Sequence, residues 1–75
     1  MTLDSIPKQT FARVVAVDSS AQAGLRLMEM GIIPGAPVRV LKSAPLGDPI
    51  LVQVRDYHLA LRREEASFIQ VILSE

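Results

Sequence analysis

The chain has 75 residues, with eight basic and eight acidic side chains, no net charge and no cysteine. A chain of this length forms one domain that buries only about 60% of its extended surface, which excludes a deep catalytic cleft. The lack of cysteine excludes disulfides and thiolate metal sites and is typical of a reducing cytoplasm. The balanced charge argues against a nucleic-acid binder. We therefore expect a single domain over residues 1–75.

The first residues do not have the pattern of a signal peptide, because Asp4 and Pro7 interrupt them. No stretch approaches the roughly 20 apolar residues of a membrane span, so we expect no direct membrane insertion. Leu3 and Ile6 are expected to pack against the core. The segment Phe11–Val17 is rich in β-branched residues and predicts the first strand.

A short helix is predicted next, running to Met30, with Ser19 and Ser20 as candidate N-caps. Gly24 lies inside it at a cost of about 1 kcal/mol relative to alanine, which weakens the prediction of the helix start or marks a close backbone contact. The spacing i, i+4, i+7 predicts a core-facing set of three residues: Ala21, Leu25 and Met28.

Residues 31–36, which follow the predicted helix, contain two glycines and a proline that determine the local backbone. Gly31 stands where a helix needs a residue with positive φ to close its last turn. Pro34 and Gly35 occupy the second and third positions of a type II turn over residues 33–36. A second strand over Val38–Leu41 follows from the alternation of valines with other residues.

Residues 43–49 are too rich in proline and glycine for regular structure. Pro45 and Pro49 push the residues before them out of the helical region. Gly47 and Asp48 complete this turn-forming sequence. We expect an irregular but stiff loop.

The remaining residues predict three strands and one helical turn. In chain order these are a strand over Ile50–Arg55, a two-residue turn at Asp56 and Tyr57, a strand over His58–Arg62, a helical turn over Glu64–Ala66, and a strand over Phe68–Leu73. The element order β-α-β-β-β-β, with a one-turn helix before the last strand, favours a small, five-stranded, strongly bent antiparallel barrel.

Three motifs in this order resemble the FeoA family, whose members are small cytoplasmic proteins of bacterial ferrous iron uptake. They are RLMEMGIIPGAPVRV, APLGDPI and VRDYHLALRREEASFIQV, and together they cover nearly the whole chain. The resemblance implies an SH3-like barrel that acts with the membrane GTPase-linked iron permease FeoB. The matching positions are Leu27, Gly31, Pro34, Gly35, Pro45, Gly47, Asp48, Pro49, Leu61, Arg62 and Ala66. Two features depart from the family pattern: Asp56 stands where a glycine is common, and residues 8–10 replace a glycine-containing approach to the first strand.

Catalysis finds no support in the residues. One histidine, no cysteine and no serine in a nucleophile motif leave neither a triad nor a paired acid and base. Glu64 and Glu65 are adjacent and point apart, so we interpret them as a solvated turn that caps local N–H groups. We therefore expect no enzyme.

Metal binding has little support from composition. A transition-metal site needs three or four convergent ligands, and the chain offers only His58 with dispersed carboxylates. His58 is the candidate for weak Fe(II) or Zn(II) association, although a strand-edge role is its ordinary explanation. A regulatory barrel that senses a divalent metal is the alternative hypothesis.

Protein binding is the remaining class, with weak self-association left open. Met30 and Ile33 at the helix end and Leu46 in the stiff loop are candidate contacts with a partner. They can equally cover the end of the barrel. Nucleic-acid binding is disfavoured, because only three aromatic residues are present and the net charge is zero. The function we expect is that of a docking module on the cytoplasmic side of the permease.

Overall fold

The computed structural model describes residues 1–20 and 22–74. Its elements are a 3₁₀ turn (Leu3–Ser5), β1 (Phe11–Val17), α1 (Gln22–Glu29), β2 (Pro37–Ser43), β3 (Ile50–Val54), β4 (Tyr57–Leu61), α2 (Arg63–Ala66) and β5 (Ile69–Leu73). The order β-α-β-β-β-β and the one-turn helix before the last strand are confirmed. The 3₁₀ turn was not predicted, and β2 continues two residues beyond its predicted end.

All five strands form one antiparallel sheet in the order β4-β3-β2-β1-β5. The register of β1 against β5 shifts between Val14 and Ala16, and that of β2 against β3 shifts between Val40 and Lys42. Such bulges bend a strand and increase its twist. They let a sheet of short strands curve around a single core, as the predicted bent barrel requires.

One hydrophobic core fills the concave side of the sheet. β3 alternates between buried and half-buried residues, with Ile50, Val52 and Val54 buried. The other buried residues come from the remaining four strands, both helices, the 3₁₀ turn and the connecting segments: Leu3, Ile6, Ala12, Val14, Leu27, Ile32, Ala36, Val38, Val40, Leu61, Ala66, Ile69 and Val71. The predicted packing of Leu3 and Ile6 against the core is therefore confirmed.

The predicted core face of the helix is wrong. Leu25 is 51% exposed, Met28 is only partly buried, and Ala21 lies outside the described residues. The buried positions of α1 are Gly24 and Leu27. The cause is the close approach of Gly24 to the chain before the helix, since a Cβ on Gly24 would lie 1.9 Å from the carbonyl oxygen of Asp18. This contact turns the Gly24 side of the helix inward.

The helix begins at Gln22, so neither Ser19 nor Ser20 stands directly before it. Ser20 instead donates two hydrogen bonds to the Asp18 carboxylate, from its hydroxyl (2.6 Å) and its backbone N–H (3.0 Å). These bonds lower the pKa of Asp18 below its ordinary value. The serine therefore stabilises the turn that precedes the helix.

The segment after the helix follows its local chemistry. Gly31 has φ +96° and donates to the Met28 carbonyl, while the next N–H, of Ile32, donates to Leu27. This pair of bonds is the Schellman pattern of a glycine-ended helix. Gly35 has φ +91°, and the Ala36 N–H reaches the Ile33 carbonyl at 3.0 Å, which confirms the type II turn.

The hairpin between β3 and β4 lies one residue earlier than predicted. Val54 pairs with Tyr57, so Arg55 and Asp56 form the turn, and Arg55 takes positive φ (+56°). Packing explains the difference: the Tyr57 hydroxyl lies against Gly31, where a Cβ would approach it to 2.9 Å. This tertiary contact fixes Tyr57 in the strand and leaves the strained conformation to Arg55.

Candidate protein-docking site

The loop between β2 and β3 is closed by its own backbone. Ala44 donates to the Pro49 carbonyl (3.0 Å), Gly47 donates to the Ala44 carbonyl (2.7 Å), and Gly47 takes φ +88°. The peptide bond between Asp48 and Pro49 is cis. The loop is irregular, as its proline and glycine content predicted, and the structure adds the backbone hydrogen bonds that close it.

Arg63, the first residue of α2, attaches this loop to the rest of the domain. Its backbone N–H donates to the Asp48 carboxylate (3.1 Å), and its guanidinium donates to the carbonyls of Gly47 (2.5 Å) and Asp4 (3.0 Å). One side chain thus connects the loop, the 3₁₀ turn and α2. This role could not be predicted from the sequence, because the bonded residues lie 15, 16 and 59 positions away from Arg63.

Leu46 stands at the tip of the anchored loop and is 97% exposed. Beside the loop lies an open groove of about 320 Å³. Its lining is mostly apolar: Lys42, Ser43, Ala44, Pro45, Pro49, Ile50, Leu51 and Ala60. A fully exposed leucine on a fixed loop, next to an apolar groove, is a feature of protein contact surfaces.

The structure separates the other two candidate contacts from Leu46. Ile33 is 38% exposed and precedes the start of β2, whereas Leu46 follows the end of that strand. A strand of this length spans about 20 Å. Met30 is partly buried and packs against the core. The helix end and the loop therefore present two separate areas, of which only the loop carries a fully exposed apolar residue.

His58 lies exposed on β4, opposite Gln53. Within residues 1–20 and 22–74, no group of three or more histidine and carboxylate side chains is placed to hold a metal ion. The described residues therefore do not supply the convergent donors that a transition-metal site needs.

Glu65 stabilises the start of α2. Its carboxylate accepts the Arg62 backbone N–H at 2.9 Å, and its other oxygen lies 3.6 Å from the Arg26 guanidinium. The interpretation of this acidic pair as a capping turn is confirmed for Glu65.

The charges are less evenly scattered than the neutral total suggests. Within the five strands, the charged side chains are Arg13, Arg39 and Lys42, and none is acidic. Arg39 stacks over the Phe11 ring at 4.8 Å and donates to Gln53 at 2.6 Å. The sheet surface therefore presents positive charge, while the carboxylates lie in turns and helices.

Comparison with known proteins decides the family. A family model described as the FeoA domain matches residues 1–73. The chain belongs to the FeoA family. A curated relative, an Fe(2+) transport protein A/Fe(2+) transporter FeoB fusion protein of Porphyromonas gingivalis, is 36% identical over 73 residues. The match covers 97% of this chain and 9% of that fusion protein, so the chain spans about a tenth of its length.

Solved FeoA structures share the fold. An FeoA-like protein from Clostridium acetobutylicum superimposes with a TM-score of 0.91 at 30% identity, covering 97% of this chain and 85% of that one. An FeoA from Stenotrophomonas maltophilia superimposes with a TM-score of 0.86 at 37% identity, and the match covers 96% of this chain and 89% of that one. That protein is described as a prokaryotic SH3 domain protein complexed with zinc, possibly acting as a ferrous iron transport activating factor. The SH3-like fold expected from the motifs is therefore confirmed.

Within the described part of the FeoA chain, no helix is long and apolar enough to cross a bilayer. The longest, α1, has eight residues, against the roughly 20 that a span requires.

Proposed function

We propose that this FeoA-family protein is an accessory protein of ferrous iron uptake that binds the cytoplasmic part of an FeoB-type permease. The observation that carries the proposal is the joining of an FeoA domain to an FeoB transporter in one relative. Two domains fused in one chain are held at a high effective concentration, which is useful when they contact each other. A protein that is not fused to the permease must form this contact by binding it as a separate chain.

The surface for this binding is the loop that carries Leu46. Its backbone hydrogen bonds and its attachment through Arg63 hold it in place before a partner arrives. A fixed loop loses little conformational entropy on binding. Leu46 is fully available, since it has almost no contact with its own domain.

A binding experiment tests this surface. The purified cytoplasmic part of the permease is titrated with the protein and with its Leu46→Asp variant. An aspartate would bring an unpaired charge into an apolar contact, so we expect affinity to fall at least about tenfold. The unfolding midpoint should stay unchanged, because residue 46 is exposed.

The matched control is Ile72→Asp, which adds the same charge at a residue 59% exposed on β5, at the opposite end of the strand order from β4. This variant should bind like the parent. Equal binding by Leu46→Asp and the parent would contradict the proposed surface. A pull-down with this protein that recovers no permease from cells that contain the permease would contradict the permease as its partner.

The metal-sensing alternative has one observation in its favour, the zinc complex of the Stenotrophomonas maltophilia relative. His58 is the residue of this chain that we propose for any weak association with Fe(II) or Zn(II). We expect such binding to be weak, because the described residues form no group of three or more possible ligands.

A further inference from the structure

Arg39 is a half-buried cation on the outer face of the sheet, and its hydrogen bonding is incomplete. Its Nη2 donates to the side-chain oxygen of Gln53 at 2.6 Å, and its guanidinium carbon lies 4.8 Å from the centre of the Phe11 ring. Its Nε is buried, and no acceptor within residues 1–20 and 22–74 bonds to it. A buried N–H without a partner is costly, and the cost is larger on a charged group.

The unsatisfied N–H belongs to an edge of the guanidinium that suits a carboxylate. Nε and Nη2 direct two nearly parallel N–H bonds from one edge of the planar group. The amide of Gln53 has a single oxygen, so it accepts from Nη2 and leaves Nε without a partner. A carboxylate has two oxygens and can accept from both. Among the residues that the structure describes, the one ion pair is Arg26 with Glu65, so no carboxylate of the chain takes this place.

A small open pocket adjoins Arg39. It has a volume of about 60 Å³ and is lined by Phe11, Pro37, Val38, Arg39, Gln53 and Arg55. Since a water molecule takes about 30 Å³ in the liquid, the pocket has room for a group of a few heavy atoms. Gln53 can give way to such a group, because its amide nitrogen makes only a long hydrogen bond of 3.3 Å to the Arg55 carbonyl.

This pocket lies next to the apolar groove beside the Leu46 loop. Leu51 lines the groove and Gln53 lines the pocket, and both lie on the outer face of β3. Residues two positions apart on one face of a strand are about 7 Å apart, so the two depressions are neighbours. A partner that binds the Leu46 loop and the groove therefore reaches Arg39.

We infer that Arg39 binds a carboxylate side chain of the permease when the cytoplasmic part of the permease docks on the Leu46 loop. The two carboxylate oxygens accept hydrogen bonds from Nε and Nη2 and replace the side-chain oxygen of Gln53. Such a bidentate contact fixes the orientation of the partner as well as adding affinity. The small pocket favours a carboxylate over a bulkier phosphate headgroup. The inference rests on the proposed function, because it takes the same partner and gives one of its contacts a defined chemistry.

A carboxylate supplied by the protein itself tests the Arg39 edge without any partner. Gln53→Glu places two oxygens where the amide has one, in a side chain of nearly the same size. We expect a higher urea midpoint than that of the parent at neutral pH, and this gain should vanish when Arg39→Gln is also present. A Gln53→Glu protein no more stable than the parent, or a gain that persists without Arg39, would overturn the inference.

A titration with the purified cytoplasmic part of the permease tests the partner. Arg39→Gln and Arg39→Lys should both weaken binding about tenfold, because lysine keeps the charge but lacks the planar fork. Gln53→Glu should also weaken binding, since its own carboxylate then occupies Arg39. The matched control is Arg13→Gln, which removes an exposed cation of the same sheet whose guanidinium already donates to the Gly35 carbonyl at 2.8 Å. This variant should bind like the parent.

The outcomes separate this inference from the proposed function. Absence of any binding by the parent would contradict the proposed function, and with it the permease as the source of the carboxylate. Binding by the parent that Arg39→Gln leaves unchanged would overturn this inference alone and leave the docking loop standing. Binding of the parent to vesicles of anionic phospholipid that Arg39→Gln abolishes would also overturn it, since a lipid phosphate would then be the ligand.

Discussion

Gly24→Ala is the substitution that tests the packing of the helix most sharply. An alanine inside a helix is ordinarily favourable by about 1 kcal/mol over glycine. Here the added Cβ would lie 1.9 Å from the Asp18 carbonyl oxygen and 2.8 Å from its carbon, and both are backbone atoms. The helix would have to move by about 1 Å, which costs about 3 kcal/mol at the upper end for overpacking. We expect a net loss of about 2 kcal/mol.

The assay is urea unfolding followed by circular dichroism. A domain of this size has a total stability of roughly 4 to 11 kcal/mol and a slope near 1 kcal/mol per molar urea. The midpoint should therefore fall by about 2 M. The matched control is Gln22→Ala, at the exposed first residue of α1, which should shift the midpoint little. A Gly24→Ala protein as stable as the parent, or more stable, would refute the close contact with Asp18.

Four further outcomes are expected. Gly35→Val should lower the free energy of unfolding by more than about 1 to 2 kcal/mol. A side chain has room at this position, so the loss comes from the φ of +91°, which valine disfavours; equal denaturant midpoints of the variant and the parent would contradict the type II turn. Arg55→Gly should raise stability by about 1 kcal/mol by relieving its positive φ, and a lower melting temperature would argue against that strain. Calorimetry with ferrous or zinc ions should show weak binding that His58→Ala reduces, whereas a tight one-to-one site that survives this substitution would favour metal sensing. Because the pKa of Asp18 is lowered in the folded protein, its carboxylate stabilises the fold at pH values above its ordinary pKa, and this contribution is lost as pH falls through the lowered pKa. Asp18→Asn should remove this part of the pH dependence of stability. Identical stability-against-pH profiles for the variant and the parent would contradict this role of Asp18.

The sequence predicted best what adjacent residues determine. The type II turn at Pro34 and Gly35 and the glycine-ended helix at Gly31 depend on the allowed φ of single residues, and both were predicted in place. The inward face of β3 follows from simple alternation. The element order follows from these local signals and the SH3-like barrel from the family motifs, whereas the order of the strands in the sheet is known only from the structure.

What the sequence missed depends on contacts between distant residues. The helix face was predicted from apolar spacing, but the contact between Gly24 and Asp18 places a glycine inward and leaves Leu25 exposed. The hairpin moved by one residue because Tyr57 packs against Gly31. Arg63 anchors the loop through bonds to two distant carbonyls, for which the sequence has no local pattern.

The candidate site was predicted in part. The sequence places Leu46 among turn-forming residues, and the structure leaves it almost fully exposed. Met30 is a candidate contact by its sequence position, but its packing against the core means that Met30→Asp would disturb folding as well as any contact.

The proposed role in iron uptake is tested most directly by measuring ferrous iron uptake in cells that lack this protein. Uptake should fall when the gene is deleted, return when the parent protein is supplied, and stay low when Leu46→Asp is supplied at equal abundance. Uptake at the full rate in the deleted cells would contradict the assignment to this pathway. Full restoration of uptake by Leu46→Asp would leave the assignment to iron uptake standing and would contradict the proposal that the Leu46 loop is the docking surface.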